Sequence, residues 1–120
     1  MKLSNPIGLL GEDTAAQYLS SKGYKILERN YSKRYGEIDI VAVKNNVLVF
    51  VEVKTRTSVA FGSPIEAITP WKLRQVVQTG EYYKLTHQNL PDLMRIDAIS
   101  VLINKNHEVE SIEHIENITL

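Results

Sequence analysis

Between residues 38 and 54 the chain carries two apolar runs, Ile38-Asp39-Ile40-Val41-Ala42-Val43 and Val47-Leu48-Val49-Phe50-Val51-Glu52-Val53, split by Lys44-Asn45-Asn46. β-branched residues dominate both runs, which suits a pleated, covered surface. Asparagine tolerates the positive φ that a tight turn between antiparallel strands requires. The segment therefore predicts an antiparallel hairpin. Side chains alternate between the faces of a strand, so Leu48, Phe50, Glu52 and Lys54 share one face and Val49, Val51 and Val53 the other. Both faces begin apolar, which predicts a central strand covered on both sides.

The rest of the chain supplies the covers. A helix is expected over about Pro6 to Lys22, ended by Gly23, and then a strand over about Tyr24 to Asn30. After the hairpin, Thr55 to Ile68 reads as irregular, with Gly62 and Pro64. Thr69 and Pro70 are suited to the N-cap and first position of a second helix that runs to about Leu85, burying Leu73, Val76, Val77, Gly80 and Tyr83. Strands are expected over about Met94 to Ile103 and Val109 to Ile115. The order α-β-β-β-α-β-β predicts an α/β (α+β) fold with a mixed central sheet flanked by helices. A length of 120 residues fits one domain, 1–120.

Three acids stand in apolar surroundings. Asp39 interrupts one run and Glu52 ends the other; Glu12 lies in the helical stripe Leu9, Glu12, Ala15, Ala16 and Leu19. A carboxylate turned toward a core is costly without a partner or a cation. Any one of them alone is most simply an ion pair, and Glu52 can pair with Lys54. Together, converging carboxylates repel unless a cation holds them. Oxygen-only ligands suit Mg²⁺ or Mn²⁺. A nearby lysine such as Lys54 can then orient a water or stabilise developing negative charge. These are the parts that phosphodiester hydrolysis needs.

Charge bears on the partner. The chain has 14 basic and 14 acidic residues and no net charge, which is not the footprint of a strongly DNA-binding domain. The distribution is uneven, however. Residues 1–84 hold 12 Lys or Arg against 8 Asp or Glu, and residues 85–120 hold 2 against 6. The absence of cysteine excludes disulfides and thiolate metal sites. With no apolar run of spanning length and no leader-like N-terminus, the expected setting is cytoplasmic, away from membrane.

Asp39 and the triplet Glu52-Val53-Lys54 match the D…(D/E)xK signature of restriction-endonuclease-like nucleases. More specifically, Gly11-Glu12, Gly23-Tyr24-Lys25-Ile26-Leu27-Glu28-Arg29-Asn30-Tyr31, Gly36-Glu37-Ile38-Asp39-Ile40-Val41-Ala42, Leu48 to Arg56, Phe61-Gly62-Ser63-Pro64, Glu66-Ala67, Lys72 and Arg95-Ile96-Asp97 resemble the YraN-type family of uncharacterised bacterial proteins. That family is grouped with Holliday-junction resolvases in the restriction-endonuclease-like class. The resemblance implies a nuclease-like fold, a site of Glu12, Asp39, Glu52 and Lys54 with the three acids as metal ligands, DNA (branched DNA included) as partner, and a homodimer. The family's later strand motif usually reads Arg-Phe-Asp; Ile96 replaces the aromatic here.

Around that site, Arg34, Arg56, Thr57, Lys72 and Gln75 are candidate contacts to nucleic acid, though a solvated helix face explains Lys72 and Gln75 about equally well. Residues 55–66 are a candidate lip over the site. Glu37 reads as an ion-pair partner of Arg34 or Arg56, or as an outer ligand. Arg95 and Asp97 read as a structural ion pair. His87, His107 and His114 lack metal-ligand spacing and receive no role. The six tyrosines are scattered along the chain, and no base-stacking platform is assigned to them. The expected function is a metal-dependent DNA endonuclease. The alternatives are a non-catalytic nucleic-acid-binding or adaptor protein that retains the fold, and a protein-interaction subunit.

Overall fold

The computed structural model describes residues 5–57 and 68–119. Its elements are α1 (Pro6–Ser21), β1 (Lys25–Lys33), β2 (Gly36–Lys44), β3 (Val47–Arg56), α2 (Pro70–Thr86), β4 (Leu93–Ile103) and β5 (Val109–Ile115). They form a five-stranded sheet in the order β1-β2-β3-β4-β5. Only β3 and β4 are parallel; the other neighbours are antiparallel. The parallel pair needs a crossover, and α2 lies within it. The α+β architecture and element order are those expected. Of the lip at 55–66, residues 58–66 lie outside the described residues, as do Phe61 to Pro64 and Glu66-Ala67 of the family-like segments.

The hairpin turn forms at Asn45 and Asn46, whose φ values are 50° and 62°. The strand it delivers, β3, is central and covered on both sides. Val49 and Val51 join Ala15 and Leu19 of α1 in one core, with Ile40, Ala42, Ile99 and Val101. Leu48 and Phe50 join Val76 and Tyr83 of α2 in a second core on the opposite face, with Ile38, Val41 and Ile96. The sheet is thus the middle of three layers.

Both helices end as their sequences direct. Asn5 caps α1, accepting from the Ile7 N–H at 2.9 Å. The helix closes with Tyr24 N–H to Leu19 O and Gly23 N–H to Ser20 O, a paired C-terminal motif. Thr69 Oγ1 accepts from the Lys72 N–H at 3.1 Å at the head of α2. The buried stripes need two corrections. Leu9 is not on the core face of α1 but 46% exposed, and the buried line is Gly11, Ala15 and Leu19. The reason is steric. A Cβ at position 11 would collide with the Thr55 side chain, so the helix sits closest to the sheet where it has no side chain. On α2, Val77 is 38% exposed and Thr79 is fully buried in its place. The Thr79 hydroxyl donates to the Gln75 carbonyl at 2.8 Å, which satisfies it inside the helix and lets it pack as a small residue.

Candidate active site

The β2–β3 ladder runs from Lys44↔Val47 to Ile40↔Val51 and stops. One step further, Asp39 would face Glu52. Instead the Asp39 carboxylate enters the gap, and its Oδ2 accepts from the Val53 N–H at 2.8 Å. The local backbone makes room for this. Ile38 and Ile40, two residues apart, lie in different cores on opposite faces, so the alternation of β2 breaks at Asp39. Across the ladder on β1, Asn30 has a φ of 52°. Arg29 reaches toward α1, donating to Asp13 at 2.7 Å, whereas Tyr31 lies in the α2-side core. The β1–β2 ribbon turns over at Asn30 and Asp39. This frees the end of β3 and exchanges a backbone acceptor for a carboxylate.

Glu52 continues the apolar column of Leu48 and Phe50 and is only 2% exposed. Its Oε1 is buried without a hydrogen bond. Its Oε2 is 3.8 Å from Lys72 Nζ on α2. Burial, and after it the charge on Asp39, pushes the Glu52 carboxyl up to about 8. Lys72 and Lys54 pull the other way without prevailing, and Glu37 adds to the rise. The carboxyl is therefore held in an environment that resists its ionisation and that lacks enough positive charge. Two carboxylates, one buried oxygen without a hydrogen bond and a raised proton affinity form a donor set that a hard divalent cation would satisfy.

The fold brings Asp39, Lys54 and Lys72 into electrostatic range of Glu52. Glu12 comes from the other side of the sheet. It follows Gly11, which touches Thr55, so it stands level with the end of β3; it is half-buried, and its Oε1 is shielded from solvent. Gln75 packs under the β1–β2 turn, its Cβ 3.3 Å from where a Cβ on Gly36 would lie. Arg56 is half-buried at the end of β3, and Thr57 is exposed beyond it. Arg34 is exposed on the turn between β1 and β2, 5.6 Å from the centre of the Tyr35 ring.

A second polar cluster lies in the β4–β5 region. Asp97, His114 and Glu116 bring ligand atoms within 4.8 Å of one another, a group that could bind a metal. Its other contacts fit a structural role better. The fully buried Asp97 accepts from Arg95 Nε at 2.8 Å, Arg95 Nη2 at 3.0 Å and the Asn117 N–H at 3.0 Å, and lies 2.8 Å from His114 Nε2. Burial alone would raise the Asp97 carboxyl, but the bonds from His114, Arg95 and Asn117 outweigh it and leave it below its ordinary value. The Arg95–Asp97 pair matches the sequence expectation. His114 was missed, and so was Tyr24, whose hydroxyl accepts from Arg95 at 3.0 Å. No local spacing announces either residue, because strand pairing and chain crossing bring them there.

A mixed sheet between helices, with an acidic pair, one member of it buried, where two strands part, defines the class of fold and site. Residues 11–101 match the uncharacterised protein family UPF0102, the YraN family, and the chain belongs to it. The chain is 47% identical over 116 residues to a UPF0102 protein of Syntrophomonas wolfei subsp. wolfei, covering 96% of this chain and 98% of that one. It is 46% identical over 112 residues to UPF0102 protein TTE1452 of Caldanaerobacter subterraneus subsp. tengcongensis, covering 92% of each. A UPF0102 protein of Dictyoglomus turgidum is 40% identical over 111 residues, covering 92% of this chain and 94% of its own length. No helix among the described residues is long and apolar enough to cross a membrane.

Proposed function

We propose that this protein is a divalent-cation-dependent DNA endonuclease of the restriction-endonuclease-like class, selective for branched or single-stranded structure. The observation that carries the reading is the Asp39–Glu52 pair, two carboxylates at the parting of β2 and β3, one of them buried with an oxygen lacking a hydrogen bond. Asp39, Glu52 and Glu12 would hold Mg²⁺ or Mn²⁺. When bound, such a cation supplies positive charge at the scissile phosphate and makes a water acidic enough to attack it.

The chain's own residues do the rest. The Val53 N–H fixes one oxygen of Asp39 and so orients its carboxylate at the end of β3. Lys54, on the face that carries Glu52, stands at the attacking water or at the phosphate. As the water oxygen bonds to phosphorus and the ester P–O bond breaks, negative charge grows on the phosphoryl oxygens, where an ammonium stabilises it. Lys72, Gln75, Arg34, Arg56 and Thr57 are the contacts to the DNA backbone. The basic excess of residues 1–84 favours that partner, and the protein works in the cytoplasm, away from membranes.

The test is direct. Purified protein with Mg²⁺ or Mn²⁺ is expected to cleave branched or single-stranded DNA, and Glu52→Ala or Lys54→Ala to abolish cleavage. Intact substrates with both metals, or variants that cut as well as the parent, refute the enzyme reading. The Lys72–Glu52 contact favours a second reading, because a tethered ammonium near a buried acid is how a site without metal would be neutralised. A non-catalytic DNA-binding or adaptor protein gives salt-dependent binding without cleavage and no Mn²⁺ heat in calorimetry. A resolvase-like activity further requires an isologous homodimer, since a four-way junction takes two coordinated cuts. A monomer by light scattering at micromolar concentration removes that version only.

A further inference from the structure

The turn between β1 and β2 lies against α2, and between them is a cleft of about 180 Å³ lined by Lys33, Arg34, Tyr35 and Tyr82. Tyr35 and Tyr82 meet edge to face, with ring centres 6.4 Å apart and planes at 62°. Each is still 39% exposed, so the pair leaves aromatic surface open to solvent. Among the described residues, the walls carry two cations and no acid. Gly36 permits this arrangement, because a side chain there would press on Gln75 and Thr79 of α2 and lift the turn away.

From these features we infer that the cleft binds an unpaired nucleobase of the DNA strand being cut. The inference rests on the nuclease reading and adds to it the state of the strand beside the cut. An aromatic wall stacks any base, because every base has a π-face, and flanking cations hold the phosphates on either side. The volume suits one planar base; pockets for drug-sized ligands begin at about 300 Å³. Position agrees with chemistry. Tyr35, on the turn just before β2, is four residues from Asp39, about 13 Å of extended chain. Tyr82 is ten helical residues from Lys72, about 15 Å along α2. Two independent elements thus place the cleft at a similar distance from the acids, on the α2 side of the sheet, within a few nucleotides of the scissile phosphate. A base stacked inside a duplex cannot enter the cleft, whereas a base at a fork, a gap, a junction or a free strand can. Selection for unpaired structure then comes from the cleft, and a chain of zero net charge gains local affinity from Lys33 and Arg34 rather than from its overall field.

The test uses the full chain in EDTA, where the metal-dependent cut is not supported, and single-stranded and forked oligonucleotides carrying one 2-aminopurine at successive positions. Quenching is expected at a narrow set of positions near the branch and not in blunt duplex. Tyr82→Ala and Tyr35→Ala should each weaken binding of the forked substrate about tenfold, the scale of one lost stacking contact, while Tyr82→Phe keeps it. Cleavage in Mn²⁺ is measured separately on the same proteins. If the parent cuts DNA but the alanine variants bind, quench and cut as it does, the cleft inference is overturned and the nuclease stands. If the parent cuts nothing while position-specific quenching disappears in Tyr82→Ala, the cleft stands and the nuclease reading falls. Equal binding of blunt duplex and forked DNA overturns the cleft in either case.

Discussion

Glu52→Gln keeps the shape of the side chain and removes its charge. In the folded protein the Glu52 carboxyl is pushed up to about 8 from an ordinary value of 4.5, by burial first and by Asp39 second. Below the ordinary value both states are protonated and the group costs nothing. As pH rises, the unfolded chain ionises Glu52 while the folded chain does not, so stability falls by about 1.4 kcal/mol per pH unit until the folded value is passed. The accumulated cost is about 3 kcal/mol at neutral pH and about 5 kcal/mol above pH 8, as an upper figure. Glutamine escapes it. With an unfolding entropy of roughly 2.1 cal/mol/K per residue, each kcal/mol is about 4 °C in Tm for a chain of 120 residues. Thermal unfolding by circular dichroism in EDTA should therefore show the two proteins close together near pH 4.5. By pH 9 the variant should melt higher by about 10–20 °C. Mn²⁺ should raise the parent and not the variant. A variant less stable than the parent at pH 8, or a gap that does not change with pH, would refute the reasoning.

Three other perturbations have expected outcomes. Lys72→Met removes the ammonium 3.8 Å from Glu52, so Mn²⁺ should bind about fivefold to tenfold tighter by calorimetry while DNA binding weakens; looser Mn²⁺ binding would show that Lys72 does not compete for the site. Asp97→Ala strands Arg95 beside His114 and should cost about 3–5 kcal/mol in urea unfolding near neutral pH. The Asp97 carboxyl is held below 3.8, so its contribution is complete above that pH and disappears as pH falls through the lower folded value. Gly11→Ala drives a methyl into Thr55 and should destabilise by about 1–3 kcal/mol, with Gly11→Ala/Thr55→Ala recovering part of the loss.

The sheet was legible because period-two patterning in β2 and β3 is strong and the Asn45-Asn46 turn fits its dihedrals. The same pattern exposed Asp39, Glu52 and Lys54, which are legible because each breaks an apolar run. Leu9 and Val77 were misplaced because an apolar count gives glycine and threonine little weight, and Gly11 and Thr79 decide which face docks. The contact of Lys72 with Glu52 depends on how α2 crosses the sheet, and the contact of His114 with Asp97 depends on β4–β5 pairing. Neither is written in local spacing. The break in alternation at Asp39 was also unreadable, since Ile38 and Ile40 look alike in sequence while facing opposite layers. The meeting of Tyr35 and Tyr82 belongs to the same class of fact, with 46 residues between them in the chain.

The Val53 amide has an unusual place in this sheet, bonded to the Asp39 side chain rather than to a carbonyl of the neighbouring strand. Its proton therefore senses the electron density of that carboxylate. In a nitrogen–proton correlation spectrum, this one resonance would move when Asp39 gains a proton or shares its oxygens with a cation, while the ladder amides below Ile40 and Val51 stay fixed. That one amide would serve as a spectroscopic indicator of the state of Asp39, and of occupancy of the proposed cation site, with no nucleic acid added.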